Sequence, residues 1–285
     1  MIQDIQFEQG DYGRRAVVTS AWSGEMTEHV LSNGIVELEL NHGKGWRGTD
    51  VSFLARLPQL MGFKIIDFKI SSVEPIHCLH ELRALDVITY CRTEIRFSAF
   101  PRLEKCALEW RPKAASLFDC TTLKKLFVNR YKGNDTSSFA KLSNLESLAI
   151  LNAPIKNLGG LGGLSKLRSL RLAGLTRLTS LKGIETLANL EELEIHTCRR
   201  IGSIEEVGSL PHLQKLQLDN DGDIESLKPL EKLNGLVSVF FCESTNIRDG
   251  DLSPLVRQKS LSRVSFQNRR HYSHRREELR GYHAG

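Results

Sequence analysis

No stretch of this 285-residue chain approaches the roughly 18 consecutive apolar residues of a membrane-spanning helix, so a span is excluded. Residues 1–30 carry Asp4 and Glu8 and no apolar run, so the pattern of a secretory leader is missing too. Six cysteines, at 78, 91, 106, 120, 198 and 242, lie scattered with no C-x-x-C pair, which argues for reduced thiols in a cytoplasmic protein. Neither charge sign dominates: 39 Lys and Arg against 34 Asp and Glu leave an excess of five positive charges, too mild to imply nucleic acid by itself. There is no G-x-S-x-G, and no cysteine has positioned partners in the sequence, so no catalytic residue, cofactor or small-molecule substrate is expected.

What the chain has is leucine at fixed intervals. The block Leu-x-x-Leu-x-Leu stands cleanly at Leu145-Leu148-Ile150, Leu167-Leu170-Leu172, Leu190-Leu193-Ile195 and Leu213-Leu216-Leu218. Weaker copies begin at Ile35, Leu60, Leu82, Leu103, Leu123, Leu236 and Leu261, making eleven in all, with steps of 20 to 25 residues. That period belongs to leucine-rich repeats and not to ankyrin, helical or propeller arrays.

Within one copy, Leu170 and Leu172 alternate with Ser169 and Arg171, the period of a strand, so the leucines face inward and their neighbours outward. Upstream, Leu158, Leu161, Leu164 and Leu167 recur every three residues, which suits a 3₁₀ or very short helical segment. One such unit cannot bury its leucines alone, and stacking makes a continuous core. The expected architecture is an α/β solenoid: a leucine-rich repeat arc with a parallel β-sheet on the concave face and 3₁₀ or short helical segments on the convex face. Residues 1–34, with Ile5, Phe7, Val17, Val18 and Trp22 around turn signals, are expected to form a β-rich N-terminal cap. Residues 35–268 are expected to hold the repeats, and 269–285 a basic C-terminal tail or cap.

On these motifs the chain resembles the leucine-rich repeat family, and its units of 22 to 23 residues are most similar to internalin-type and other stand-alone bacterial members. The resemblance implies protein binding on the concave strand face. The family places Asn, or sometimes Cys, at the ninth motif position; here Cys198, Asp221 and Ser244 stand there, but so do Arg111, Tyr131, Ala153 and Leu175. Less regular turns are therefore expected, with other donors satisfying the backbone.

Positions five, seven and eight are expected to project from the sheet. Phe127 and Phe240 at position five are the informative residues, because an exposed ring gains nothing there unless something covers it. Trp110, Phe127, Arg130 and Tyr131 form the first candidate hot spot. Arg171, Glu194, His196, Asp219 and Glu243 form a second, more polar candidate, for which an ordinary mixed-charge face is the alternative.

Two further signals imitate chemistry. The run 159–166, Gly-Gly-Leu-Gly-Gly-Leu-Ser-Lys, suggests a phosphate loop, but Ser165 precedes Lys166 and the leucines align with those of the next repeat, so the glycines are wall residues. The tail places Arg269, Arg270, His271, His274, Arg275 and Arg276 together around Tyr272, which would suit phosphate or an acidic partner, or merely cover the last strand. No metal site is expected from His271 and His274 without a third ligand. The leading expectation is a non-enzymatic module that binds one partner protein and acts by occlusion or scaffolding, as a bacterial toxin-neutralising immunity protein or an enzyme regulator. Nucleic-acid or acidic-partner binding through the tail is the alternative.

Overall fold

The computed structural model describes residues 4–279, so the last six positions of the expected tail lie outside the described residues. The chain divides after Val128 into two compact units.

The first unit opens with an antiparallel hairpin, β1 (Ile5–Gln9) and β2 (Arg14–Val18). Helix α1 (Gly24–Ser32) follows and buries Met26, Thr27 and Val30. The alternation read from the sequence does not include this helix, because its buried stripe is only three residues. Strands β3 (Glu37–Asn41), β4 (Gly62–Ile66), β5 (Ala84–Ile88) and β6 (Lys105–Glu109) then continue from β2 as a parallel sheet. Strand β7 (Lys125–Asn129) lies at the boundary.

In the second unit β8 (Ser147–Leu151), β9 (Ser169–Ala173), β10 (Glu192–His196), β11 (Lys215–Asp219), β13 (Ser238–Cys242) and β15 (Arg263–Phe266) pair in parallel, in that order. The short β12 (Asp223–Ile224) and β14 (Asn246–Ile247) pair separately, and α2 (Ser253–Val256) is a single turn. Register places Leu170, Leu193, Leu216 and Val239 in one row and Leu172, Ile195, Leu218 and Phe241 in the next. All eight are at most 1 % exposed. Each such side chain contributes on the order of 2 kcal/mol by leaving water.

The three-residue apolar period has a hydrogen-bond counterpart. Leu161 N–H donates to Leu158 O at 3.0 Å, Leu164 to Leu161 at 2.9 Å and Leu167 to Leu164 at 3.0 Å. Leu54, Leu57 and Leu60 do the same in the first unit. Each leucine thus fills the core and closes a 3₁₀ turn at once, which is why the spacing is three and not four.

A second regularity sits where strands end. Arg130, Asn152, Gly174, Thr197, Asn220 and Glu243, each at the eighth motif position, all have φ between 52° and 65°. In this left-handed conformation the N–H of each of the first five donates to the seventh-position carbonyl of the next repeat, as in Asn152 N to Ala173 O at 2.8 Å. Five of the six are not glycine, and each holds strain on the order of 1 kcal/mol, set by the ladder and not by local preference.

The ninth position, irregular in sequence, is served by several chemistries. Asp221 Oδ1 accepts from Cys198 N at 2.7 Å, and Asp221 N donates to Thr245 Oγ1 at 3.0 Å. Cys198 Sγ donates to Leu172 O and His196 O. These contacts satisfy the turn backbone that asparagine serves in a regular family member.

The basic tail folds back over the last repeat. Tyr272 lies edge-on to Phe266 at 5.9 Å and to Phe241 at 6.3 Å, and its oxygen accepts from Ile247 N at 3.0 Å. Arg269 donates to the carbonyls of Glu243 and Thr245, and His271 Nε2 lies 3.0 Å from Ile247 O. Tyr272→Ala is expected to destabilise the protein by about 2–3 kcal/mol, whereas Arg270→Ala at an exposed position should change the urea midpoint by less than about 0.5 kcal/mol equivalent.

Candidate interaction surface

On the sheet face of the second unit, four of the five residues of the polar candidate group meet across neighbouring strands. Arg171 Nε lies 3.7 Å from Glu194 Oε2, His196 Nε2 lies 3.6 Å from the same oxygen, and His196 Nδ1 lies 3.4 Å from Asp219 Oδ2. Lys215, at a third motif position not read from the sequence, bridges to Glu194 Oε1. Burial pushes the Glu194 carboxyl up, but the Lys215 hydrogen bond and the surrounding cations hold it below the usual carboxylate range. Glu243 stands apart, exposed on its left-handed turn, and Phe240 is half-buried, registered between Gln217 and Ser265.

The sheet face of the first unit is ionic and partly covered. The turn between β1 and β2 reaches past β4 and β5, so that Asp11 pairs with Lys105 of β6 at 2.8 Å and the Tyr12 ring lies 5.4 Å from Lys105 Nζ. Glu37, 2 % exposed, takes Arg15 at 2.6 Å, and Glu39, 1 % exposed, takes Lys44 at 3.1 Å and Lys64 at 3.4 Å. Over Gly62 and Ala84 a hollow of about 150 Å³ remains, ringed by Asp11, Arg15, Lys64, Asp86 and Lys105. Burial pushes the Asp86 carboxyl up, opposed by Lys64 and Arg15.

The strand-exit edge of this unit carries a feature that columns five, seven and eight do not contain. Phe68 and Tyr90, ninth-position residues of successive repeats, are 49 % and 55 % exposed, and their rings touch at a centroid distance of 4.7 Å. Both turns are held from inside. Asp67, buried, accepts from Lys69 N at 2.7 Å and Ile70 N at 3.2 Å. Arg111, 3 % exposed, donates through Nη2 to Thr89 O and Oγ1, at 3.3 and 3.0 Å, and through Nη1 to Cys91 Sγ at 3.2 Å. The two rings are therefore displayed on braced backbone, with the exposed cations Lys69 and Arg92 beside them in sequence. Successive aromatic residues at the ninth position, where the family has a small polar one, are the sequence signal for this edge.

The first candidate group is divided. Trp110 is half-buried with its ring 5.5 Å from Phe118, and Phe127 is half-buried on β7. Arg130 is exposed at its left-handed turn. Tyr131 does not present a surface as expected: it is 6 % exposed, its ring meets Phe139 edge-on at 5.2 Å and its hydroxyl donates to Ser138. Tyr90, at the same ninth position, is exposed instead, and the buried Arg111 engages Thr89 and Cys91 on either side of it. In the tail, Arg269 and His271 are engaged by backbone carbonyls, while Arg270 and Arg275 are exposed and His274 and Arg276 are half-exposed.

Of the thiols near strand exits, Cys198 is fully buried and burial pushes it up to about 12; burial pushes Cys242 up as well, so neither suits a reactive nucleophile. Among the described residues no group of three or more His, Cys, Asp or Glu is placed to hold a metal ion. Among them, too, no helix is long and apolar enough to cross a membrane.

No protein-family profile and no curated protein sequence matches the chain. Solved structures do. An internalin (inlF) from Listeria monocytogenes superposes with a TM-score of 0.57 at 21% identity, over 90% of this chain and 83% of that one. The functional domain of InlJ from Listeria monocytogenes gives 0.58 at 17% identity, over 85% of this chain and 50% of that one. A leucine-rich repeat protein of Leptospira interrogans gives 0.50 at 14% identity, over 87% and 81%.

Proposed function

This chain is a leucine-rich repeat protein by fold, and we propose that it is a non-enzymatic module that recognises one partner protein. The fold supports protein binding in general; the observation that carries the reading is the Phe68 and Tyr90 pair, exposed on turns braced by Asp67 and Arg111. Exposed aromatic residues beside cations are the usual composition of binding hot spots, and braced turns lower the ordering cost of association. We place the second contact region on the sheet face, at Arg171, Glu194, His196, Asp219 and Phe240, where a charge-matched partner would meet a row of positioned ions.

Occupancy is the mode this surface suits, because a rigid face without convergent catalytic groups acts on a partner by covering or positioning it. A cytoplasmic setting, as an immunity protein that neutralises a bacterial toxin or as a regulator of an enzyme, belongs to the same proposal. Native purification through a tagged chain, with the captured protein identified by mass spectrometry and then titrated, tests it. Phe68→Ala with Tyr90→Ala is expected to weaken binding of that isolated partner at least about tenfold, and Phe127→Ala with Phe240→Ala to weaken it by a smaller factor. An unchanged Kd in both folded double variants sinks the reading.

A further inference from the structure

Arg111 presents an imbalance of charge that the fold does not explain. Its side chain is 3 % exposed, it forms no ion pair among the described residues, and its Nε has no partner. A guanidinium cannot shed its proton, and burying one is costly unless an anion or enough acceptors face it. The ionisable group it touches is the Cys91 thiol, 3.2 Å from Nη1. Thr89 completes the arrangement: its Oγ1 accepts from Arg111 Nη2 at 3.0 Å and lies 3.2 Å from Cys91 Sγ, within reach for its hydroxyl to donate to a thiolate.

We propose that Cys91 is an oxidant-modified site, a thiolate that serves as the counter-anion of Arg111 and is converted to a sulfenic acid by a small hydroperoxide. The sulfur attacks one oxygen of hydrogen peroxide, an S–O bond forms as the O–O bond breaks, and the other oxygen leaves as hydroxide, which the buffer acid protonates to water. Sulfur loses two electrons and the peroxide gains them. Arg111 and Thr89 steady the negative charge before the step and on the departing oxygen during it.

Geometry and charge single out Cys91 from Cys106, Cys120, Cys198 and Cys242. Burial pushes Cys106, Cys120, Cys198 and Cys242 up. Burial acts on Cys91 in the same direction, but hydrogen bonds from Thr89 and Thr93 and the Arg111 charge outweigh it and hold the thiol below its ordinary value. Cys91 keeps 9 % of its surface exposed, against 4 % for Cys106 and 0 % for Cys198, and it follows the exposed Tyr90 at the strand exit. Oxidation replaces the anion with a neutral group, so Arg111 loses its counter-charge and the turn beneath Tyr90 loosens.

The test exposes the native full-length chain to hydrogen peroxide, quenches with catalase, unfolds, alkylates with N-ethylmaleimide and counts the remaining thiol at each cysteine by mass spectrometry. Cys91 is expected to disappear at least tenfold faster than Cys106, Cys120, Cys198 or Cys242, and Thr89→Val to slow that loss at least tenfold while Thr89→Ser preserves it. A Cys91 consumed no faster than buried Cys106 overturns the proposal on wild-type protein alone. So does an unchanged rate in folded Thr89→Val. Neither readout involves a partner, so failure here leaves the proposed binding function standing.

Discussion

At pH 8, Asp221→Asn is expected to raise the stability of the chain by about 2–3 kcal/mol, and at pH 4 to lower it by about 1–2 kcal/mol. Asp221 has no measurable exposure, and burial pushes its carboxyl up to about 7 against an ordinary value of 3.8. The proton is therefore held more tightly in the folded state. Below about pH 4 both states carry it and no penalty exists; between about pH 4 and 7 the unfolded chain ionises while the folded one does not, and stability falls. Above pH 7 the full difference, roughly 4 kcal/mol, is lost. Asparagine keeps the acceptor for Cys198 N and removes the charge. Its amide stands where Oδ2 has no partner, which takes back about 1–2 kcal/mol. Urea midpoints of both proteins from pH 4 to 8 check this, and parallel curves across that range would show that the carboxyl is not destabilising.

Gly160→Ala is the second large effect, an expected loss of about 3 kcal/mol or more. A Cβ at Gly160 would stand 2.1 Å from Thr136 O and 2.4 Å from Ser137 N, both backbone of the preceding repeat, with no flexible side chain to yield. Two 3₁₀ segments, Ser137–Lys141 and Gly159–Gly163, can stack this closely only without that carbon. Gly162 meets nothing nearer than Thr186 Oγ1 at 3.4 Å, so Gly162→Ala should be neutral or stabilise by about 0.5 kcal/mol. Thermal unfolding of the two variants side by side separates a packing glycine from a permissive one. Equal melting temperatures would mean the repeats spread without cost.

The glycine run illustrates what could be read in advance. Its leucines, aligned with Leu181, Ile184 and Leu187, identify it as wall, yet no one-dimensional pattern distinguishes Gly160 from Gly162, because the difference is the distance to another repeat. The fold was legible because leucine spacing encodes both burial and the 3₁₀ hydrogen bond. The surface was legible only where it follows strand alternation, as at Arg171, Glu194 and Asp219. Tyr90 and Tyr131 share the ninth position, and one is exposed while the other is packed on Phe139. What decides between them is a buried arginine arriving from the next repeat, a contact between residues about twenty apart. The third motif column, which supplies Lys105 and Lys215, follows the same alternation and was open to the same reading.

The repeated left-handed exits of the second unit bear on how such a chain changes length over generations. Leu167, Leu190, Leu213 and Leu236 stand 23 residues apart, and β9, β10, β11 and β13 share one register. Each exit from Asn152 to Asn220 offers its N–H to the same carbonyl position of the repeat that follows, indifferent to whether it is asparagine, glycine or threonine. Duplicating or excising one whole 23-residue segment would rejoin the ladder bond for bond, whereas a residue gained or lost between a strand and its exit would leave that exit facing the wrong atom.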